Sequence, residues 1–343
     1  MHQHIHPGRV GGNQPGAGMI NGRLLNPKTV PDIPLDGRYV LIRSAVSPYY
    51  MYLSTDGGAS FSGTGMALAS GLYLKACISD DGQYMIVSGY ATTSHVIIGS
   101  SDYGATWGTI YATTGRYGGS IVSDTGQYQF ASVAGGSYNN RVYRSTNYGS
   151  TWGYRTMSQA MSNAKIAASA SGQYVYISND GGLYPQRSAD YGYTWNPVTL
   201  VSTDAQGGIG VSGTGQHVIV VYNTGIARQG FLSTNYGVSW SYITSQNMTT
   251  ASHPEISRSG QYMAYVESNF GSQVYYSSNY GSSWSDITSG LPVGGMMLFS
   301  HDASIRYLQS GSGLYKSTNG GSSWMNMNVG FSHSLLAINK SAA

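Results

Sequence analysis

The chain has 343 residues, a formal net charge of +3 and a charged fraction of 9%, against about 25% in ordinary soluble domains. Glycine (48) and tyrosine (30) are abundant instead, and the few charges form no basic run, so we expect no nucleic-acid binding. No apolar run approaches the roughly 18 residues of a spanning helix, so we expect a soluble protein without membrane insertion.

Residues 1–33 form a segment of different composition, rich in Gly, Pro and Asn and without helical or strand periodicity. We interpret them as an extended arm that docks onto other protein chains; packing against the rest of its own chain is the alternative. His2, His4 and His6 alternate, so on an extended strand they share one face and could bind a transition metal. A solvated polar leader is the alternative there, and we expect no other metal and no cofactor.

From residue 54 onward one octet recurs seven times, as Ser-x-Asp/Asn-x-Gly-x-Ser/Thr closed by an aromatic residue. The copies span residues 54–61, 100–107, 145–152, 188–195, 233–240, 277–284 and 317–324. All six tryptophans close a copy, and Phe61 closes the seventh: Trp107, Trp152, Trp195, Trp240, Trp284 and Trp324. The octet glycines are 40 to 46 residues apart, a period that indicates one repeated supersecondary unit such as a propeller blade.

The third octet position alternates between two residue types. It is Asp56, Asp102 and Asp190 in three copies and Asn147, Asn235, Asn279 and Asn319 in the other four. Both side chains accept hydrogen bonds from nearby backbone N–H groups in a tight turn, but only Asp carries charge. Because a metal or catalytic site would not tolerate that exchange, we interpret these residues as structural.

These octets resemble the Asp-box (bacterial neuraminidase repeat) propellers. The resemblance covers about residues 36 to 340 and implies an all-β, seven-bladed propeller of four-stranded antiparallel blades. That family includes sialidases, sortilin-type receptors, a photosystem assembly factor, other glycoside hydrolases and lectins. The resemblance therefore implies a fold and leaves the function open.

A second repeated phrase, a polar residue followed by Gly and most often Gln-Tyr, lies about 20 residues before each octet and predicts the first hairpin of each blade. For the third unit we predict strands at residues 120–123, 128–134 and 141–144, with an outer strand from Trp152.

The propeller is assigned to residues 34–343. Its first blade starts at the turn of residues 36–37 and lacks an inner strand, while residues 334–339 match one. We therefore predict that the C-terminal strand completes blade one and closes the ring.

Five octets carry a tyrosine between the Asp/Asn and the glycine: Tyr103, Tyr148, Tyr191, Tyr236 and Tyr280. At a turn tip they would form an exposed belt suited to glycans or protein partners. The alternative is that each ring folds over its own hairpin.

Few polar ionisable residues are expected near the axis of the propeller: Lys75, Lys165, His253 and Glu255. Cys77 is expected to be a buried, unreactive thiol.

The resemblance makes a sialidase the first enzyme to consider, and this needs an arginine cluster, a Tyr–Glu pair and an Asp. The chain has only two glutamates, Glu255 and Glu267, and no clear match to the arginine phrase of that family. We therefore predict a non-enzymatic attachment or interaction module, in a bacteriophage or other virus particle and anchored through its arm. The alternatives are a soluble glycan-binding lectin and a sialidase-like glycoside hydrolase.

Overall fold

The computed structural model divides the chain into two compact units, Met1–Ile33 and Pro34–Ala343. It describes residues 19–20, 23–24, 37–68, 70–90, 95–113, 116–135, 140–161, 164–178, 184–199, 206–222, 230–243, 251–267, 273–292, 296–310 and 313–340. In the first unit, β1 (Met19–Ile20) pairs antiparallel with β2 (Arg23–Leu24). His2, His4 and His6 lie outside the described residues.

The second unit consists of seven four-stranded antiparallel sheets, which confirms the predicted propeller. Its first sheet contains β3 (Val40–Ser44), β4 (Tyr49–Ser54) and β5 (Ser62–Leu68), with β30 (His333–Ile338) on the inner edge. Blade two contains β6 (Ser70–Ile78), β7 (Met85–Tyr90), β8 (His95–Ser100) and β9 (Gly108–Thr113). Blade three contains β10 (Arg116–Val122), β11 (Gln129–Gly135), β12 (Arg141–Ser145) and β13 (Gly153–Thr156).

The remaining four blades repeat this order. Blade four contains β14 (Lys165–Ala168), β15 (Val175–Ser178), β16 (Gln186–Ser188) and β17 (Asn196–Pro197). Blade five contains β18 (Gln206–Val211), β19 (Val218–Tyr222), β20 (Gly230–Ser233) and β21 (Ser241–Tyr242). Blade six contains β22 (Ala251–Ile256), β23 (Met263–Glu267), β24 (Gln273–Ser277) and β25 (Ser285–Asp286), followed by a 3₁₀ turn, Thr288–Gly290. Blade seven contains β26 (Met296–Phe299), β27 (Arg306–Ser310), β28 (Gly313–Ser317) and β29 (Met325–Asn326).

The ring closes as predicted, because the last strand of the chain completes the first sheet. Strand β30 pairs antiparallel with β3, with Val40 opposite Ile338 and Ile42 opposite Leu335. Just beyond the strand, the buried side chain of Asn339 accepts a hydrogen bond from the Tyr39 N–H at 2.8 Å. The inner edge of β3 and the edge of β30 are thus paired with each other, so neither is left exposed.

The apolar core lies between blades, where the faces of adjacent sheets pack together. One cluster joins Ile219 and Val221 of blade five to Met263, Tyr265 and Trp284 of blade six. Second strands are sandwiched by neighbours, and all four residues of β15 are buried, whereas the short outer strand β21 is exposed. Burial of these faces, at about 25 cal/mol per Å² of apolar surface, holds each blade against the next.

Around the axis, residues just after six of the inner strands are linked by an arc of five backbone hydrogen bonds. In each of them an N–H donates to the carbonyl of the next blade at 2.8–3.0 Å. The residues run in the order Asp80, Asp124, Ala170, Gly213, Arg258 and His301. This arc brings the residues that follow the inner strands together at one end of the central channel.

Candidate functional site

Each octet is a closed loop held by its own side chains, as Asp102 illustrates. The Asp102 carboxylate accepts hydrogen bonds from the Thr106 N–H at 2.9 Å and the Thr106 hydroxyl at 2.6 Å, and from the Ser100 hydroxyl at 2.8 Å. Burial alone would raise the pKa of Asp102, but these hydrogen bonds to the charged form outweigh it and lower the pKa. The carboxylate is therefore a structural acceptor inside the loop.

The octets with asparagine keep the same loop by reversing one hydrogen bond. Asn147 Oδ1 accepts from the Thr151 N–H at 3.0 Å, while its Nδ2 donates to Thr151 Oγ1 at 2.9 Å. A hydroxyl can donate or accept, so the Ser or Thr at this position suits either side chain. The closing tryptophan folds back in both versions, and the Trp107 indole N–H donates to the Gly104 carbonyl at 3.0 Å.

The five octet tyrosines contact the neighbouring blade, an arrangement that neither sequence-based alternative described. All five have φ between 59° and 61°, which is left-handed backbone that is unfavourable for a residue with a Cβ. Each ring lies against an aromatic ring from the first hairpin of the preceding blade. The pairs and their centroid distances are Tyr103–Tyr39 (6.2 Å), Tyr148–Tyr84 (5.2 Å), Tyr191–Tyr128 (4.5 Å), Tyr236–Tyr174 (4.9 Å) and Tyr280–His217 (5.2 Å).

The hairpin aromatic in each pair also packs against a hairpin glycine of the following blade. A Cβ placed on Gly126, whose φ is +79°, would lie 2.1 Å from the Tyr84 ring. Tyr84 therefore packs between Gly126 and Tyr148. In each pair, part of the aromatic surface is used in the contact between neighbouring blades. Tyr103, Tyr148 and Tyr280 nevertheless keep 44–47% of their surface exposed, and their predicted role in ligand binding stays a prediction.

An ion-pair bridge crosses one end of the central channel. Arg258 Nη2 of blade six lies 3.0 Å from Asp80 Oδ1 of blade two and also contacts the Asp124 carboxylate of blade three. In a ring of seven, blades two and three are those farthest from blade six. Nearby, Lys340 pairs with Glu255, the glutamate expected near the axis.

The environment of this bridge shifts the pKa of one carboxyl group. Burial raises the pKa of Asp124 to about 6; the charge of Arg258 opposes this, and the charge of Asp80 adds to it. The Asp124 carboxyl group therefore changes its charge near pH 6.

The opposite end of the channel is cationic and apolar. A cavity of about 380 Å³ there is lined by Lys75, Lys165, His253 and Glu255, together with Met296 and Leu336. Desolvation by the channel walls, with the charges of Lys75 and Lys165, lowers the pKa of His253 to about 4, so this imidazole is neutral at pH 7. The backbone of His253 has φ +51°, at a bulge in the pairing of β22 with β23.

The other residues and features considered in the sequence contribute less to a candidate site. Burial raises the pKa of the Cys77 thiol, which disfavours the nucleophilic thiolate. Among the described residues there is no group of three or more His, Cys, Asp or Glu that could hold a metal ion. Within the same residues, no helix is long and apolar enough to cross a membrane. Glu267 ends strand β23.

Comparison with known proteins identifies the fold of this chain but assigns it to no family. No protein-family model matches the chain, and no curated protein matches it. Among solved structures it is similar to YCF48 bound to D1 peptide, with a TM-score of 0.59, 13% identity and coverage of 80% of this chain and 86% of that one. It is also similar to an ancestral GH74 enzyme, with a TM-score of 0.57, 15% identity and coverage of 86% and 47%.

A third similar structure is TolB from Acinetobacter baumannii, with a TM-score of 0.50, 16% identity and coverage of 71% of this chain and 61% of that one. The chain thus spans 61% of the TolB chain and 47% of the GH74 chain. At these identities the similarity extends to the fold alone: the chain is a seven-bladed β-propeller.

Proposed function

We propose that this propeller is a non-enzymatic interaction module. The observation that supports this most is that every carboxylate whose side chain the structure describes already has a partner within the chain. Glu255 pairs with Lys340, and Asp80 and Asp124 contact Arg258. The others accept hydrogen bonds within their own loops or strands: Asp56, Asp81, Asp102, Asp190, Asp286 and Asp302. Glycosidases instead need two carboxyl groups facing the substrate.

The kind of module follows from the fold and the arm. YCF48, a propeller of similar architecture, was solved with a peptide bound, which supports a protein partner for this chain. Residues 1–33 form a unit of their own, which suits a segment that anchors the propeller to a larger assembly. We propose a phage or virus particle as that assembly. The octet loops support membership of the Asp-box propellers.

The non-enzymatic part is tested by assaying the full chain against a panel of chromogenic glycosides. We expect no turnover, because the described carboxylates hold the fold together. Turnover that Glu255→Gln or Glu267→Gln abolishes would contradict the proposal and would identify a glycoside hydrolase.

The anchoring part is tested with a chain that lacks residues 1–33. We expect this chain to melt like the full chain but to be missing from purified particles by mass spectrometry. Normal incorporation of the shortened chain would contradict anchoring through the arm.

Glycan binding is the second candidate function, and the three exposed octet tyrosines favour it. Tyr103, Tyr148 and Tyr280 retain 47%, 45% and 44% exposure, and exposed tyrosine is suited to contact with sugars. Binding of the full chain to a glycan array, lost when these tyrosines are replaced by glycine, would favour this function over a protein partner.

A further inference from the structure

A groove between blades three and four combines aromatic rings with a partly buried arginine. It has a volume of about 460 Å³, and Tyr128, Arg144, Asp190, Tyr191 and Tyr193 line it. We call it the blade 3–4 groove. Every residue that lines it belongs to the described part of the chain.

Near this groove, two residues that contact each other differ in type from their counterparts in the other six repeats. Tyr193 follows the octet glycine, where the other six octets have small residues or valine: Ala59, Ala105, Ser150, Val238, Ser282 and Ser322. Arg155 stands three residues after the octet aromatic, where the other copies have Thr64, Ile110, Val198, Ile243, Ile287 and Met327. The fold does not require either residue, since six blades form without them, and such local departures are expected at functional sites.

Two arginines converge on Tyr193: Arg144, which lines the groove, and Arg155, which lies beside it. The guanidinium carbon of Arg155 lies 4.4 Å from the Tyr193 ring centroid, and that of Arg144 lies 5.7 Å from it. Nε and Nη1 of Arg144 are buried and have no hydrogen-bond partner among the described residues. Because these two N–H groups are closed to solvent, a ligand in the groove meets the remaining, Nη2, end of the Arg144 guanidinium group together with Arg155.

The charges in the groove favour an anion. Burial lowers the pKa of Arg144, and the adjacent charge of Arg155 lowers it further, although an arginine so placed remains protonated at neutral pH. Asp190 also lines the groove, and its negative charge raises the pKa of Arg144; the two arginines and this one carboxylate still leave a net positive charge. A further carboxylate would reduce the repulsion between the two guanidinium groups and accept their N–H bonds.

Part of the aromatic surface in the groove is already engaged, which leaves less of it for stacking of a sugar. Tyr128 and Tyr191 stack on each other at 4.5 Å, and the guanidinium groups lie over Tyr193. The groups available to a ligand are guanidinium N–H groups and phenol hydroxyls, together with the exposed part of the Tyr193 ring. This set matches a carboxylate on a flexible chain better than the flat face of a sugar ring.

We propose that the blade 3–4 groove binds a glutamate or aspartate side chain from an acidic segment of a partner protein. The inference deepens the proposed interaction function and rests on it. Arg155 and Arg144 supply the charge-assisted hydrogen bonds, and Tyr193 holds their guanidinium groups in place.

The test is fluorescence anisotropy of the full chain with a labelled peptide of alternating glutamate and serine, at low salt. We expect binding of this peptide and none of its glutamine counterpart. Arg155→Gln should weaken binding about tenfold, the effect of losing one charge-assisted hydrogen bond. Arg141→Gln is the matched control, because it removes the same charge from the same blade, yet Arg141 stacks on Tyr154 at 4.1 Å whereas Arg155 stacks on the groove residue Tyr193.

Arg144→Gln should weaken binding at least as much, and Arg155→Gln keeps the test valid if the buried change at Arg144 disturbs folding. Equal binding of the glutamate and glutamine peptides, equal effects of Arg155→Gln and Arg141→Gln, or no binding by the folded chain would overturn the proposal. So would Arg155-dependent binding of an oligogalacturonate in place of the peptide. Each of these outcomes is separate from glycoside turnover, the result that contradicts the interaction function itself.

Discussion

At the residue scale, the octet works because its hydrogen bonds are local. The Asp or Asn at the third position bonds to the residue four positions later, as Asp190 does to the Thr194 N–H at 2.8 Å. Such a loop depends on residue type and spacing alone, which is why the sequence was sufficient to locate it. The direction taken by the tyrosine beside it depends on the next blade and could not be read from the octet.

Replacing Tyr148 separates the strain of its backbone from the contact of its ring. Tyr148→Ala loses the contact with Tyr84 and keeps the left-handed φ of 60°, so we expect a loss of about 1 kcal/mol in the free energy of unfolding. Tyr148→Gly loses the same contact but relieves a strain of about 1 kcal/mol and should be nearly neutral. Gly57 and Gly320 already occupy this position in two other octets.

Urea denaturation of the two variants and the wild-type chain measures both effects. Equal stability of the alanine and glycine variants would show that the backbone at Tyr148 is not strained. Alanine and wild-type chains of equal stability would show that the ring contact contributes nothing.

At the scale of the element, the strand that closes the ring is the least replaceable. Strand β30 supplies the inner edge of blade one, and the residue after it, Asn339, bonds on both sides of the closure. Its Oδ1 accepts from the Tyr39 N–H at 2.8 Å, and its Nδ2 donates to the Asp80 carbonyl at 3.1 Å. The sequence predicted the strand because residues 334–339 match the inner strands of other blades, but the bonds of Asn339 appear only in the closed ring.

Asn339→Ala should destabilise the propeller by about 2 kcal/mol, because it leaves a buried Tyr39 N–H without its acceptor. Deletion of residues 333–343 should go further and abolish cooperative unfolding, since it exposes the edge of β3. Thermal melts followed by circular dichroism would measure both effects. Asn196→Ala, on the exposed outer strand β17, is the control, and an unchanged melting temperature in the truncated chain would refute the closure.

At the scale of the whole molecule, the central channel joins residues that are remote in sequence. Arg258 and Asp80 are separated by 178 positions, yet they meet across the axis because the blade count places them on opposite sides. The cationic end, with Lys75, Lys165 and His253, arises in the same way from blades two, four and six. The sequence placed Lys75, Lys165 and His253 near the axis but did not indicate that Arg258 and Asp80 would meet across it.

The raised pKa of Asp124 predicts a pH dependence of stability. Folding raises this pKa from 3.8 to about 6, so the folded chain holds a proton that the unfolded chain has released. The stabilising contribution of Asp124 is therefore full below about pH 4 and is lost as the pH rises through 6. Between about pH 5 and 7 we expect the wild-type chain to lose roughly 1 kcal/mol relative to Asp124→Asn.

Urea denaturation of both chains at the two pH values makes this comparison. Asp302→Asn is the control, because local hydrogen bonds outweigh burial and lower the pKa of Asp302, so its contribution changes only at more acidic pH. Parallel pH profiles for wild type and Asp124→Asn would contradict the shift.

The sequence by itself determined the repeat, the seven blades, the octet loops and the closing strand. Turn geometry and strand periodicity depend on residues a few positions apart, so each of the seven copies carries the full signal. Tertiary structure alone decided the contacts between blades: the tyrosine pairs, the Arg258 bridge, and the meeting of Arg144, Arg155 and Tyr193. These contacts depend on how far each blade is rotated about the axis and on which side chains then come within reach.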